Sequence, residues 1–120
     1  MTAPRDPLDA VEDIVRNLAL AREFIGEAIT ADELEADPKT LYSVVRALEV
    51  IGEATKRVPT SVRDLEPAIP WKEMAGMRDR LIHDYENVDV ELLLKTVKQR
   101  VPEVEPRVQA LLRRLIETNE

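Results

Sequence analysis

The ten residues Gly76-Met77-Arg78-Asp79-Arg80-Leu81-Ile82-His83-Asp84-Tyr85 gather the side chains best suited to chemistry. His83 is the only histidine in the chain, with Arg78 five residues before it and Tyr85 two after. An imidazole gives or takes a proton near neutral pH. A guanidinium keeps its charge and presents a fork of donors to phosphate oxygens. The pair suits cleavage of a phosphodiester, with His83 as general acid or base and Arg78 stabilising charge on a pentavalent phosphorus. Attack by the adjacent ribose 2'-hydroxyl needs no protein nucleophile, and it restricts the substrate to RNA.

Spacing decides whether these groups can meet. Asp79 lies four residues before His83, so on one helix its carboxylate can orient the imidazole. Arg80 and Asp84 share that spacing and can pair likewise. Arg78 and His83 fall well off a common face of a straight helix. They converge where the helix ends near His83, or where two copies of the motif meet across a dimer. A plainer reading stands beside this one: a lone histidine at a helix end caps it or sits on the surface, and Tyr85 is a core aromatic whose hydroxyl reaches water.

Upstream, Arg46, Glu49 and Glu53 share one helical face through spacings of three, four and seven. They form either a salt-bridged polar stripe or the wall of a groove that positions the motif. Lys56 and Arg57 extend a basic edge there or are ordinary surface charge. The carboxylates Glu33, Glu35 and Asp37 read as a solvated connection, and no cluster has metal-ligand spacing. The residues alone call for no metal and no cofactor.

The elements that must carry these groups are helices. Asp6-Pro7 opens the first, with aspartate as N-cap and proline in the first turn. Leu8, Val11, Val15, Leu18, Ile25 and Ile29 then recur at helical spacing, widened by Ile14, Ala21 and Ala28, and the helix fades near Thr30. An acidic connection over 31–37 holds one helical turn around Leu34. Asp37-Pro38 opens a second long helix that turns Leu41, Val44, Val45, Leu48, Ile51 and Ala54 inward and stops before Pro59. Ser61 caps a short helix ending near Pro67. Pro70 opens a third main helix with Trp71, Met74, Met77 and Leu81 on one face, ending among Asp84, Tyr85, Glu86 and Asn87. Asp89 caps the next, which buries Val90, Leu93, Leu94 and Val97 until Pro102 breaks or kinks it. Val104, Val108, Leu111, Leu112 and Leu115 close the bundle. Gly52 and Gly76 fall inside these helices, where close helix approach explains them. No strand alternation is visible. The expected fold is all-α, a bundle of four main helices with short extra pieces, spanning 1–120 as one domain.

Composition bounds the rest. There are no cysteines among the 120 residues, which excludes disulfides and thiolate metal sites. No segment approaches membrane-spanning length, so a cytoplasmic protein is expected. Seventeen Lys and Arg against twenty-four Asp and Glu give a net charge of −7. That opposes broad electrostatic binding of nucleic acid, so an RNA substrate must meet a local basic patch or one built by assembly.

The spacing Arg78-x4-His83-x-Tyr85 resembles the signature of the HEPN superfamily. Its context, Ile69-Pro70-Trp71-Lys72-Glu73-Met74-Ala75-Gly76-Met77 before the motif and Val88-Asp89 after it, is similar to the HepT-like toxin branch. So is Val45-Arg46-Ala47-Leu48-Glu49-Val50-Ile51-Gly52-Glu53-Ala54. The resemblance runs over the whole chain, including Val101-Pro102 before the final helix. It implies a homodimer with the motif near the interface, and Arg78 and His83 as the catalytic pair of a metal-independent endoribonuclease acting on tRNA or mRNA. Asp79 fills the polar position after the motif arginine. The resemblance also implies a minimal nucleotidyltransferase antitoxin, MntA-like, that transfers AMP from ATP to Tyr85. Two other readings stay open: a non-catalytic helical dimer that holds such a partner, and a nucleotide-binding protein in which Arg78 and His83 grip a ligand's phosphate.

Overall fold

The structure is a computed structural model and describes residues 6–26, 29–84 and 87–118, without the side chains of His83 and Asp84. Helices make up most of it, and the all-α expectation holds. Helix α1 spans Pro7–Ile25. The Leu8 N–H donates to Asp6 Oδ1 at 2.9 Å, so the predicted cap is in place. The helix stops at Gly26 rather than near Thr30. Gly26 has φ +68° and ψ −166°, a conformation open to glycine and costly to any residue with a Cβ. The expected inward position of Ala28 lies outside the described residues.

Helix α2, Ala31–Glu35, is the single turn expected around Leu34. Thr30 and Glu33 close it with reciprocal side-chain-to-backbone bonds, a capping box. Helix α3, Pro38–Lys56, starts on Asp37, whose Oδ1 accepts the Thr40 N–H at 3.2 Å. The short helix α4, Thr60–Arg63, begins two residues earlier than a Ser61 cap implies and ends before Pro67. Ser61 therefore sits inside it and caps nothing; Pro59 holds the N-cap place without a side-chain bond.

The predicted third main helix is not continuous. It divides into α5, Trp71–Ala75, and α6, Met77–Leu81, about Gly76. The expected apolar face survives the break, since Trp71, Met74, Met77 and Leu81 are all buried. The chain then leaves the helix at Ile82 and forms β1, Ile82–Asp84, paired antiparallel with β2, Asn87–Val88. This two-stranded ladder corrects the expectation of no strands. Alternation cannot reveal strands of three and two residues, which are too short to show a period.

Helix α7, Val90–Lys95, starts on Asp89, whose Oδ1 accepts the Leu92 N–H at 3.0 Å. It runs through a π turn, Thr96–Arg100, into α8, Val101–Thr118. Pro102 was expected to break or kink the rod. Instead the helix widens just before it, where the Val101 N–H donates back to Thr96 O. A second proline, Pro106, also lies inside α8.

The buried side chains form one cluster, with Val11, Ile14 and Leu18 of α1 against Val44, Leu48 and Ile51 of α3 and Val108 and Leu111 of α8. Helix α1 packs along α3 and α8, and α5 and α6 pack on α3. Arg22 ties α1 to α8 through two bonds to the buried Glu105, at 3.0 and 3.2 Å. No helix among the described residues is long and apolar enough to cross a membrane.

The connection over 64–70 is irregular, so its carbonyls need donors from elsewhere. Arginines spaced by seven along the last rod supply them. Arg114 Nη1 donates to Leu65 O at 3.0 Å, and Arg107 Nη1 to Ala68 O at 3.3 Å. Arg100 reaches past the connection to Glu73 on α5, with bonds of 2.9 and 2.6 Å.

Candidate active site

Helix α6 carries Arg78 and is a little over one turn long. The turn that bears the motif arginine thus depends on its neighbours for its position. Gly52 provides one of them. A Cβ at that position would stand 3.6 Å from the carbonyl oxygens of Met74 and Ala75, so α3 and the α5–α6 junction approach backbone to side. That is an ordinary contact distance, so the approach leaves room for a methyl group but not for a larger side chain. At Gly76 a Cβ would meet only the Lys72 carbonyl, at 3.5 Å, so no other helix approaches it. Gly76 instead marks the break between α5 and α6.

Arg78 is half exposed, and its Nε lies 3.5 Å from Glu49 Oε2 on α3. Its Nη1 lies 3.5 Å from Asp79 Oδ1. Among the described residues, Glu49 is the member of the upstream trio that forms an ion pair with the motif. Arg46 and Glu53 are exposed one turn to either side of it. Lys56 is exposed, and Arg57 turns to Asp13 of α1 at 3.4 Å rather than to the motif.

The end of α6 at Leu81 changes the expected pairings. Asp79 lies on the helix while the His83 backbone lies in β1, so four-residue helical spacing does not join them. Asp79 is largely exposed and stands beside Arg78 instead. Arg80 and Asp84 are separated in the same way, and the Asp84 side chain lies outside the described set. The condition set for Arg78 and His83 to converge, a helix ending near His83, is met by the backbone. The Asp89 N–H donates to Leu81 O at 2.9 Å and ties the hairpin base to the helix end. Tyr85 lies outside the described residues.

The sequence reading missed the anchor on the other side of α5. Glu73 sits between Arg100 and Arg80. Hydrogen bonds from Arg100, followed by the charges of Arg100 and Arg80, hold its carboxyl below the ordinary 4.5 despite an opposing effect of partial burial. Bonds to Glu73 and Glu103 raise Arg100 above its ordinary value. The recurrence of arginine at 100, 107 and 114 was the available signal.

The described residues thus form a helical scaffold with Arg78 on a short isolated turn and the His83 backbone just beyond the helix end. Residues 9–111 match the family model described as "Ribonuclease HepT-like". The chain belongs to this family of HepT-like ribonucleases, within the HEPN superfamily. It is 47% identical over 107 residues to a protein of Thermococcus cleftensis named "Probable ribonuclease HepT", covering 89% of this chain and 96% of the relative. Two further relatives carry names that provisionally assign them to the RNases. One, from Caldanaerobacter subterraneus, is 34% identical over 92% of this chain and 97% of its own length. The other, from Methanocaldococcus jannaschii, is 47% identical over 90% and 83%. No solved structure matches the chain.

Proposed function

We propose that this chain is the toxin of a toxin–antitoxin pair and cleaves RNA, tRNA or mRNA, without a metal ion. The observation that carries the reading is the setting of Arg78: half exposed, aligned by Glu49, and followed by a chain that leaves the helix before His83. In this reading the ribose 2'-hydroxyl attacks phosphorus and loses its proton, and the 5'-oxygen leaves with a proton. A 2',3'-cyclic phosphate and a 5'-hydroxyl result. His83 moves a proton, and Arg78 holds the phosphoryl oxygens as their charge grows. Residues 1–120 act as one domain, which the single buried cluster supports.

A homodimer supplies what the acidic chain lacks, by bringing two Arg78 turns together. Tyr42, 69% exposed, lies on the same face of α3 as Arg46 and Glu49, and an exposed aromatic there suits an interface anchor. A minimal nucleotidyltransferase antitoxin, MntA-like, silences the site. The Tyr85 phenol oxygen attacks the α-phosphorus of ATP, loses its proton and displaces pyrophosphate. The AMP so attached adds bulk and negative charge beside the site, which repels an RNA phosphate.

The test is cleavage of tRNA and mRNA by purified protein in EDTA. Wild type cuts and His83→Ala does not. Equal cutting by both removes the proposal. The net charge of −7 favours one second reading, a non-catalytic dimer that only holds the nucleotidyltransferase. Growth arrest on expression that is lost in Arg78→Ala counts against that reading.

A further inference from the structure

We infer that an open trough on the far side of α6 from Arg78 binds the RNA strand beside the phosphate being cut. This rests on the nuclease reading above and adds a second site to it. The trough has a volume of about 820 Å³, within the range of roughly 300–1,000 Å³ that holds small ligands. Pro67, Pro70 and Trp71 form its apolar floor, and Lys72, Glu73 and Arg80 rim it.

Charge selects the occupant. Glu73 is engaged by two bonds to Arg100, which it shares with Glu103, and Lys72 and Arg80 are the cations on the rim. Both are exposed, and Arg80 acts on Glu73 through its charge, with no ion pair within 4 Å for either cation among the described residues. A local positive strip on a chain of net charge −7 fits a polyanion better than an acidic surface elsewhere on this protein does. Pro67 and Pro70 are the open part of that floor and offer apolar contact to a base, while the buried Trp71 shows only an edge beneath them. That floor is rigid. Trp71 Nε1 donates to Glu66 O at 3.1 Å, and the Arg63 guanidinium covers the ring at 5.9 Å from its centroid.

Position links the trough to the chemistry. Arg78 and Arg80 leave one short helix about 200° apart, at 100° per residue. A helix with its side chains is about 10–12 Å wide, so a strand touching both crosses α6. Arg80 therefore meets a different phosphate from the one at Arg78. Lys72 and Arg80 bind, and they take no part in the bond change.

Trp71 is the only tryptophan and reports occupancy without cleavage. The probe is a single-stranded 2'-O-methyl RNA oligonucleotide, which cannot be cut through its 2'-oxygen. It should quench Trp71, and log K should fall against log salt. In Lys72→Gln/Arg80→Gln the slope should drop by about 1.4, or about 0.7 per lost cation on a single strand. On a cleavable RNA this variant should raise KM about tenfold at unchanged kcat, the mark of lost uniform binding. Arg80→Lys should keep the slope. If wild type cuts RNA while Trp71 stays silent and the double variant keeps its KM and slope, the trough is overturned and the nuclease reading stands. If the probe quenches Trp71 in proportion to both cations but no RNA is cut, the nuclease reading falls and the trough stands. A Trp71 response to a nucleotidyltransferase partner alone, with none to RNA, gives the face to a protein and overturns the inference.

Discussion

At the scale of single residues, the question is what aligns the half-exposed Arg78, which we propose meets the phosphate. Glu49 does so from a different helix, at 3.5 Å, with its own side chain 27% exposed. An ion pair so open to water contributes up to about 1 kcal/mol, equivalent to roughly fivefold in rate. Glu49→Gln should therefore slow RNA cleavage only a few-fold, while Arg78→Ala slows it by about 10²–10³, as when one preorganised donor to a transition-state charge is removed. Single-turnover rates of the two variants and their double mutant give the coupling. A Glu49→Gln enzyme as slow as Arg78→Ala would mean that Glu49 does chemistry of its own. The polar stripe that held Glu49 was legible from helical spacing. Its partner was not, because the contact joins residues 29 positions apart across an interhelical packing that no local pattern encodes.

At the scale of elements, α5 and α6 pack on α3 beside Gly52. The 3.6 Å gap that a Cβ would leave to the carbonyls of Met74 and Ala75 is an ordinary contact distance. Alanine should fit there, and it removes a glycine from a helix interior, a gain of about 0.5–1 kcal/mol. Gly52→Ala should raise Tm by roughly 2–5 °C. Gly52→Leu has no such room; it should push the motif turn outward and lose both stability and cleavage. Thermal melts and activity of the two variants check this, and a destabilised alanine variant would mean that the approach is tighter than it stands. The long helices and their caps at Asp6, Asp37 and Asp89 could be read directly, because apolar period and cap chemistry are local. The third helix was misjudged for a physical reason. Its apolar face persists across Gly76, so periodicity reports one helix where the backbone makes two. The π turn was hidden likewise, since proline at 102 signals a perturbation but not how the preceding carbonyls adjust.

At the scale of the molecule, the arginine seam makes the last rod a brace for the segment that leads into the motif, and carboxylates complete the brace. Glu73 is held below its ordinary 4.5 by bonds from Arg100; apart from the brace, Asp37 at the start of α3 is held below its ordinary 3.8 by bonds from Thr40. A carboxyl whose folded value is depressed takes up protons more readily in the unfolded chain. Its stabilisation is complete above the ordinary carboxylate range and is lost as pH falls through the folded value. The paired arginines are shifted further upward, so they stay charged throughout this window. Glu73→Gln should therefore lower stability at pH 7 by on the order of 1 kcal/mol, as for a partly exposed pair, or about 4 °C in Tm. The deficit should shrink as pH drops below about 4.5 and vanish once wild-type Glu73 is itself protonated. Urea melts of both proteins from pH 7 to pH 2.5, followed by the near-ultraviolet signal of Trp71 two residues away, measure that convergence. Parallel curves with a constant gap would show that Glu73 acts through its shape and not its charge. The variant would then lose the Trp71 signal at a higher pH than wild type, and the brace would rest on the shape of Glu73 together with the carbonyl bonds of Arg107 and Arg114.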